Sequence, residues 1–240
     1  MLSKTSAIVL HCLKYGDQRV ITDMFTRDHG RVSFIVPLPR SPKSKLKKQY
    51  FQPLTLLSIE CDVRPQAQLQ KLRDASLLAP LPSLQCEPSK LAIALFLSEF
   101  LYHALKGEQQ NEPLFDYVVS GLQWLDGCTD HFANFHLVFL MRLSRFLGFY
   151  PNLEEHQGDY FDLRGATFCA APPLHRDFLL PEEASHIRLL MRMDYTTMHL
   201  FRMSRTERNR ILELLMQYYR LHLPDFPELR SAGVLHELFG

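Results

Sequence analysis

The chain has 240 residues and a mass of 28.0 kDa, with 46% hydrophobic residues, enough for a core of ordinary globular size. Its five cysteines include no C-x-x-C pair and are odd in number, which speaks against a disulfide framework and a four-thiolate zinc site and suits a reduced cytoplasmic compartment. No secretory leader is expected from the N-terminal residues, and the longest apolar run, Leu91 to Leu97, falls far below the ~20 residues that cross a bilayer.

The net charge of +1 conceals two unlike parts. Residues 1–80 carry 13 Lys or Arg against 6 Asp or Glu, a net +7, whereas residues 81–240 carry 14 against 20, a net −6. The densest cluster is Arg40-Ser41-Pro42-Lys43-Ser44-Lys45-Leu46-Lys47-Lys48, five bases in nine residues with no acid. Such a surplus steers polyanions and is silent about fold.

In chain order, Ala7 to Leu10, Val20 to Thr26, Val32 to Val36, Leu54 to Cys61 and Gln68 to Leu72 read as short strands, separated by turns at Tyr15-Gly16-Asp17 and Asp28-His29-Gly30. Pro37 and Pro39 end the third strand at the basic loop. With no helical stretch of ten residues between them, five strands predict a small closed barrel and no βαβ unit.

After Pro80, Pro82 and Pro88 the pattern becomes helical. Helices are predicted at 89–106, apolar on nearly every side and therefore buried, at 114–125, at 131–148 and at 182–193. Ser204 with Glu207 three residues on is a capping box, and Ile211, Leu214, Leu215 and Tyr218 follow at helical spacing, so a further helix is expected from Arg205 to about Leu221. The organisation read from the chain is a barrel over 1–80 and an α-helical bundle over 81–240, an α+β two-domain chain, with an irregular loop insertion at about 150–181.

Eleven histidines include no H-E-x-x-H pair, and there is no G-x-S-x-G elbow, Walker A loop or G-x-G-x-x-G turn. Catalysis, cofactors and metal are therefore not expected. The loop holding Cys169 has only His156, His175 and carboxylates nearby as further zinc donors. What the first domain offers is a surface for nucleic acid. Lys14, Arg19, Arg31 and Arg40, with Lys43, Lys45, Lys47 and Lys48 of the basic loop, would hold phosphates, while Tyr15, Phe34 or Tyr50 would stack on bases. In the helical domain, Arg142 and Arg145 are three apart on one helix, with Phe135, Val138, Phe139 and Phe146 along the same segment. The competing reading is a protein–protein adaptor whose barrel does not touch DNA.

Several segments resemble the RecO family of bacterial recombination mediators. They are Lys4-Thr5-x-Ala7-Ile8-Val9-Leu10, Tyr15-Gly16-Asp17, Phe25-Thr26-x-x-x-Gly30-Arg31-x-Ser33-Phe34-x-Val36, Lys43-Ser44-Lys45, Phe51-Gln52-Pro53-Leu54, Leu95 to Leu101, Asn134-Phe135-His136-Leu137, Leu147 to Pro151 and Tyr218 to His222. In order and spacing they span essentially the whole chain. The resemblance implies an OB-fold barrel followed by a helical domain. It also implies binding of single- and double-stranded DNA, annealing of strands coated by single-stranded DNA-binding protein, and help to the RecR partner in loading the RecA recombinase, near the nucleoid. For the acidic, apolar-ended tail of single-stranded DNA-binding protein, Arg142 and Arg145 beside the apolar residues of their helix are the expected docking residues. Some members carry a four-cysteine zinc module after the position of Gly148-Phe149; only Cys169 stands in that region here.

Overall fold

The computed structural model describes residues 2–37, 46–64, 66–152 and 158–238, with side chains through Leu235. The described chain forms two compact units, residues up to Gly127 joined by Leu229–Leu238, and residues Cys128–Glu228.

The first unit is built on five strands, β1 (Leu2–Tyr15), β2 (Arg19–Thr26), β3 (Gly30–Pro37), β4 (Leu56–Asp62) and β5 (Gln70–Ala79), closed in the order β1-β2-β3-β5-β4. All neighbours are antiparallel except β3 and β5, which pair in parallel at Phe34↔Gln70 and Ile35↔Lys71. Alternation decides which residues fill the barrel. Ala7, Val9, Val20, Met24, Phe34, Val36, Leu57, Ile59, Cys61 and Leu72 turn inward and form one core with Leu46 and Phe51. Each large side chain so buried contributes about 2 kcal/mol of apolar transfer energy. The expected barrel is present; its first strand runs five residues beyond Leu10, through a bulge between Val9 and His11.

The turn between β2 and β3 needs Gly30. Its φ of +66° is left-handed, and a Cβ there would lie 2.3 Å from the carbonyl oxygen of Glu108. Thr26 Oγ1 donates to Gly30 O (2.8 Å) and accepts from His29 N (3.1 Å), closing the turn.

Helices α1 (Pro82–Cys86), α2 (Pro88–Ala104), α3 (Glu112–Gly127) and α7 (Ser231–Leu238) belong to this unit. Pro82 and Pro88 stand at helix N-termini, where a missing N–H costs nothing, so the proline-rich joint in fact holds a short helix. Helix α2 is buried on most of its circumference, as its composition predicts, leaving Leu91 and Leu95 exposed. It even buries Lys90, 1% exposed, whose Nζ donates to Ser83 Oγ (2.7 Å) and Asp126 O (3.1 Å) and lies 3.3 Å from Glu87 Oε2. One ammonium thus ties α1, α2 and the end of α3 together. Glu99 binds the start of α7 through Arg230 N (3.1 Å), Ser231 N (2.8 Å) and the Ser231 hydroxyl. Partial burial opposes ionisation of Glu99, but these donors outweigh it and hold the carboxyl below its ordinary value.

The second unit packs α4 (Phe135–Phe146), α5 (Pro181–Arg192) and α6 (Arg205–His222) with a small sheet of β6 (Tyr160–Asp162), β7 (Thr167–Cys169) and β8 (Phe178–Leu179) in the order β7-β6-β8. Helix α4 begins four residues later than expected. His131 has a left-handed φ of +59°, and Asn134 spends its amide on Met198 O (3.2 Å) and Phe201 O (2.9 Å). Gly148 (φ +87°) ends the helix, and Phe149 N donates back to Ser144 O (3.0 Å), the bond that satisfies an otherwise orphaned helical carbonyl. The capping box at Ser204 and Glu207 forms in both directions. Behind it, Tyr219 OH donates to Leu140 O (2.7 Å) and Tyr218 OH to Phe149 O, and burial pushes both phenols above their ordinary pKa. The region read as an irregular loop contains the small sheet, with Phe161, Leu163, Phe168 and Leu179 buried and Cys169 on β7. Among the described residues no helix is long and apolar enough to cross a membrane.

Candidate nucleic-acid interface

The outward residues of β1, β2 and β3 lie in cross-strand rows: Tyr15, Arg19 and Pro37; Leu13, Ile21, Ile35 and then Lys71 of β5; His11, Asp23 and Ser33; Phe25 and Arg31. These rows have opposite fates. The last two are covered by the unit's own helices. Phe25 packs on Phe115 of α3 with centroids 5.8 Å apart, and Arg31 N donates to Glu108 O (3.0 Å). Arg27 Nη2 donates to Asp116 Oδ2 (3.0 Å), fastening the same end.

The row of Asp23 is a polar cluster. Ser33 Oγ donates to Asp23, Arg31 Nη2 lies 3.8 Å from Asp23 Oδ1, and His11 Nδ1 lies 3.8 Å from Asp23 Oδ2. Arg31 is fully committed inside the unit. Its side chain is only 14% exposed, Nη1 donates to Tyr102 O (2.6 Å), and the guanidinium stands 4.3 Å above the Tyr102 ring. On the inner side of this region partial burial and then the Asp23 charge raise the pKa of the Cys12 thiol. His103 is lowered, chiefly by burial, with Glu99 opposing and Arg31 reinforcing the shift.

The first two rows are bare. Tyr15 is 51% and Leu13 42% exposed, Ile21 and Ile35 are half-buried, and Arg19, Pro37 and Lys71 are exposed. Gly16 (φ +66°) turns the hairpin tip, and exposed Lys14 stands on its other face, opposite Val20. An apolar strip about two rows wide is therefore bordered by cations, with a phenol ring at its end. Flat apolar and aromatic area beside guanidinium and ammonium groups is the arrangement that stacks bases and neutralises phosphates.

Of the residues singled out from sequence, Arg19 and Tyr15 meet at this strip, and Lys14 stands on the opposite face of the hairpin. Arg31 lies under Tyr102 and points away from it in function. Phe34 is 0% exposed in the barrel core and unavailable for stacking, because its phase along β3 is that of Val36. Lys47 and Lys48 are exposed at a 3-10 turn (Lys48–Phe51), with Lys47 Nζ 5.9 Å from the half-buried Tyr50 ring. Arg40, Lys43 and Lys45 lie outside the described residues. Leu13, Ile21, Ile35 and Lys71 were missed; the signal for them was the alternation out of phase with the core residues. In the second unit, Arg142 Nε and Nη2 both donate to Met193 O (3.0 and 2.7 Å), whereas Arg145 is exposed with its guanidinium 4.8 Å from the Tyr150 ring centroid.

Residues 1–81 match the family model Recombination protein O N terminal, and residues 87–231 match Recombination protein O C terminal. Over their full lengths, the chain is 55% identical to the DNA repair protein RecO of Phocaeicola vulgatus, 54% to that of Bacteroides fragilis and 36% to that of Azobacteroides pseudotrichonymphae. The five-stranded barrel is the family's OB-fold, and the helical region follows it. With both family models and full-length relatives in agreement, the chain belongs to the RecO family of DNA repair and recombination proteins.

Proposed function

We propose that this protein is a recombination mediator that binds single- and double-stranded DNA on the bare strip of the barrel and anneals complementary strands. The observation that carries the reading is the pairing of Tyr15, Leu13, Ile21 and Ile35 with Arg19 and Lys71 on one outward face. In OB-folds this face and its hairpin loops bind oligonucleotides. Lys14, on the other face of the hairpin, and Lys47 and Lys48, at the 3-10 turn, add positive charge to the barrel, and the sequence carries Arg40, Lys43 and Lys45 just before them. We leave Arg31 out, since its donors are spent on Tyr102 and Asp23.

A shallow strip suits annealing. Two strands repel, cations lower that cost by releasing counterions, and an open face leaves Watson–Crick edges free to find their complements. In the same reading the protein acts with RecR to load RecA on strands covered by single-stranded DNA-binding protein, and exposed Arg145 beside Tyr150 receives that protein's acidic C-terminal peptide. Arg142 serves there as a support held by Met193 O.

The test is anisotropy and strand annealing with labelled oligonucleotides across a salt series. Salt-sensitive binding with annealing that requires the protein is the expected result; salt-independent or absent binding would favour the adaptor reading. For the second unit, Arg145→Glu should weaken binding of the acidic C-terminal peptide while leaving oligonucleotide affinity unchanged, and retained peptide affinity would remove Arg145 from that role.

A further inference from the structure

Strand β1 has two neighbours for only half its length. Its pairing with β4 covers Leu2 to Ile8, and the last backbone bonds on that side are Val9 N to Thr55 O (3.0 Å) and Leu54 N to Val9 O (2.7 Å). From His11 to Tyr15 the strand pairs with β2 alone. Among the described residues no strand lies on its other side, so alternate N–H and C=O groups there face away from any ladder. Those five residues span about 17 Å of edge.

The start of this edge opens into a cavity of about 920 Å³, within the size range of sites that bury most of a ligand. Leu10, His11, Cys12 and Val20 form its strand side. Phe51, Gln52, Leu95, Tyr102, His103 and Lys48 face them from the 3-10 turn and from α2. Leu95 is 44% exposed, although the rest of α2 is largely buried. Ser98 Oγ donates to Leu10 O (2.5 Å), so a side chain of α2 already satisfies one carbonyl of this strand.

We propose that the His11–Tyr15 edge and its cavity take up an extended acidic peptide of a partner protein as an added β-strand. The edge presents donors and acceptors in alternation, and a peptide backbone answers both. A nucleic-acid strand offers phosphate acceptors but nothing to pair with the outward carbonyls, which would repel it. Apolar side chains alternating along the peptide enter the cavity against Leu10, Phe51 and Leu95. Lys14 and Lys48 carry exposed positive charge at the strand and at the cavity rim and outnumber Glu99, the carboxylate lining the cavity, whose oxygens are already held by Arg230 N and Ser231. The charge left over selects acidic residues on the peptide's outer positions. This site uses the backbone edge of β1 and the cavity beside it, whereas the DNA strip uses the outward side chains of the same strand and of β2 and β3; the two share Lys14 and Lys48, and the peptide site stands whether or not the strip binds DNA.

The experiment uses the full chain and a fluorescein-labelled synthetic heptapeptide alternating valine and glutamate. Saturable anisotropy is expected, with amide shifts in nuclear magnetic resonance spectra concentrated at residues 10–15 and 48–53. Methylating alternate peptide nitrogens removes the donors without touching the protein and should weaken binding at least tenfold. Leu95→Glu should do the same, with melting temperature and oligonucleotide affinity unchanged. No binding up to millimolar peptide, equal affinity for the methylated peptide, equal affinity for a valine–lysine peptide, or the same shifts at the cavity residues Leu10, Cys12 and Phe51 on adding an oligonucleotide would each overturn the proposal. Concentration-dependent self-association that Leu95→Glu abolishes would overturn it in favour of a second copy of the chain.

Discussion

Replacing Arg19 and Lys71 together by Ser removes the two cations that border the apolar strip on β2 and β5. Both are exposed at the bare end of the barrel, with Lys71 directly across from Ile35 and Arg19 across from Tyr15 and Pro37, so the fold should lose little. If each neutralises one phosphate of a single strand, the slope of log affinity against log salt should become shallower by about 1.4. Across a fourfold rise in salt, from about 50 to 200 mM, the wild-type protein should then lose about sevenfold more affinity than the variant. Anisotropy titrations of a labelled oligothymidine at four salt concentrations read this directly, and a urea melt verifies folding. A folded double variant with an unchanged slope would refute the assignment of these cations to the phosphate track. A variant of Arg31 tells the complementary story: Arg31→Ala should lower stability, because Asp23 and Tyr102 O lose their partner, without changing the slope once folded protein is selected.

Three further perturbations test the scaffold. Ser204→Ala breaks the capping box at the start of α6 and should cost about 1 kcal/mol in urea unfolding, with Ser204→Gly milder. Lys90→Ala should cost about 3 kcal/mol, since it strips Asp126 O and Ser83 Oγ of a donor and leaves a hole, while Lys90→Met should cost visibly less because it refills the space; equal losses would show that charge alone matters there. Asp194 accepts from the backbone N–H and hydroxyl groups of Thr196 and Thr197, which lower its pKa to about 2. Its depressed pKa stabilises the ionised native form above the ordinary aspartate range, so that contribution is lost as pH falls from about 4 toward about 2. The melting temperature of Asp194→Asn should accordingly fall less than that of the wild type over that interval.

The barrel was legible because core positions alternate strongly. Val20, Met24, Phe34, Val36, Leu57 and Ile59 report one inward face whatever the topology. The capping box was legible for the same local reason, since Ser204 and Glu207 meet within one turn. The interface was legible only in part. Arg19 and Tyr15 stand out as charge and ring, but Ile21 and Ile35 become a surface only when register brings them together and the helices stop short of their row. Arg31 shows the converse: nothing local says that a tyrosine 71 positions away will cover it. The strands at Tyr160 and Thr167 were hidden because three residues are too few for a period, and α7 because its start is held by Glu99, over 130 positions earlier. Arg142 could not be distinguished from Arg145 by spacing, although one is bound to Met193 O and the other is exposed.

The central claim is that DNA lies on the bare strip between the hairpin tip and Lys71. Photocrosslinking a single strand carrying 5-iodouracil, followed by mass spectrometry of the digested protein, tests it most directly. The expected adducts fall on Tyr15 and the peptides around Ile21 and Ile35, and Tyr15→Ala should remove the strongest, with affinity lowered by about 1–3 kcal/mol if one base stacks there. Crosslinks confined to residues 128–228, with none on β1, β2 or β3 and no loss in Tyr15→Ala, would contradict the account.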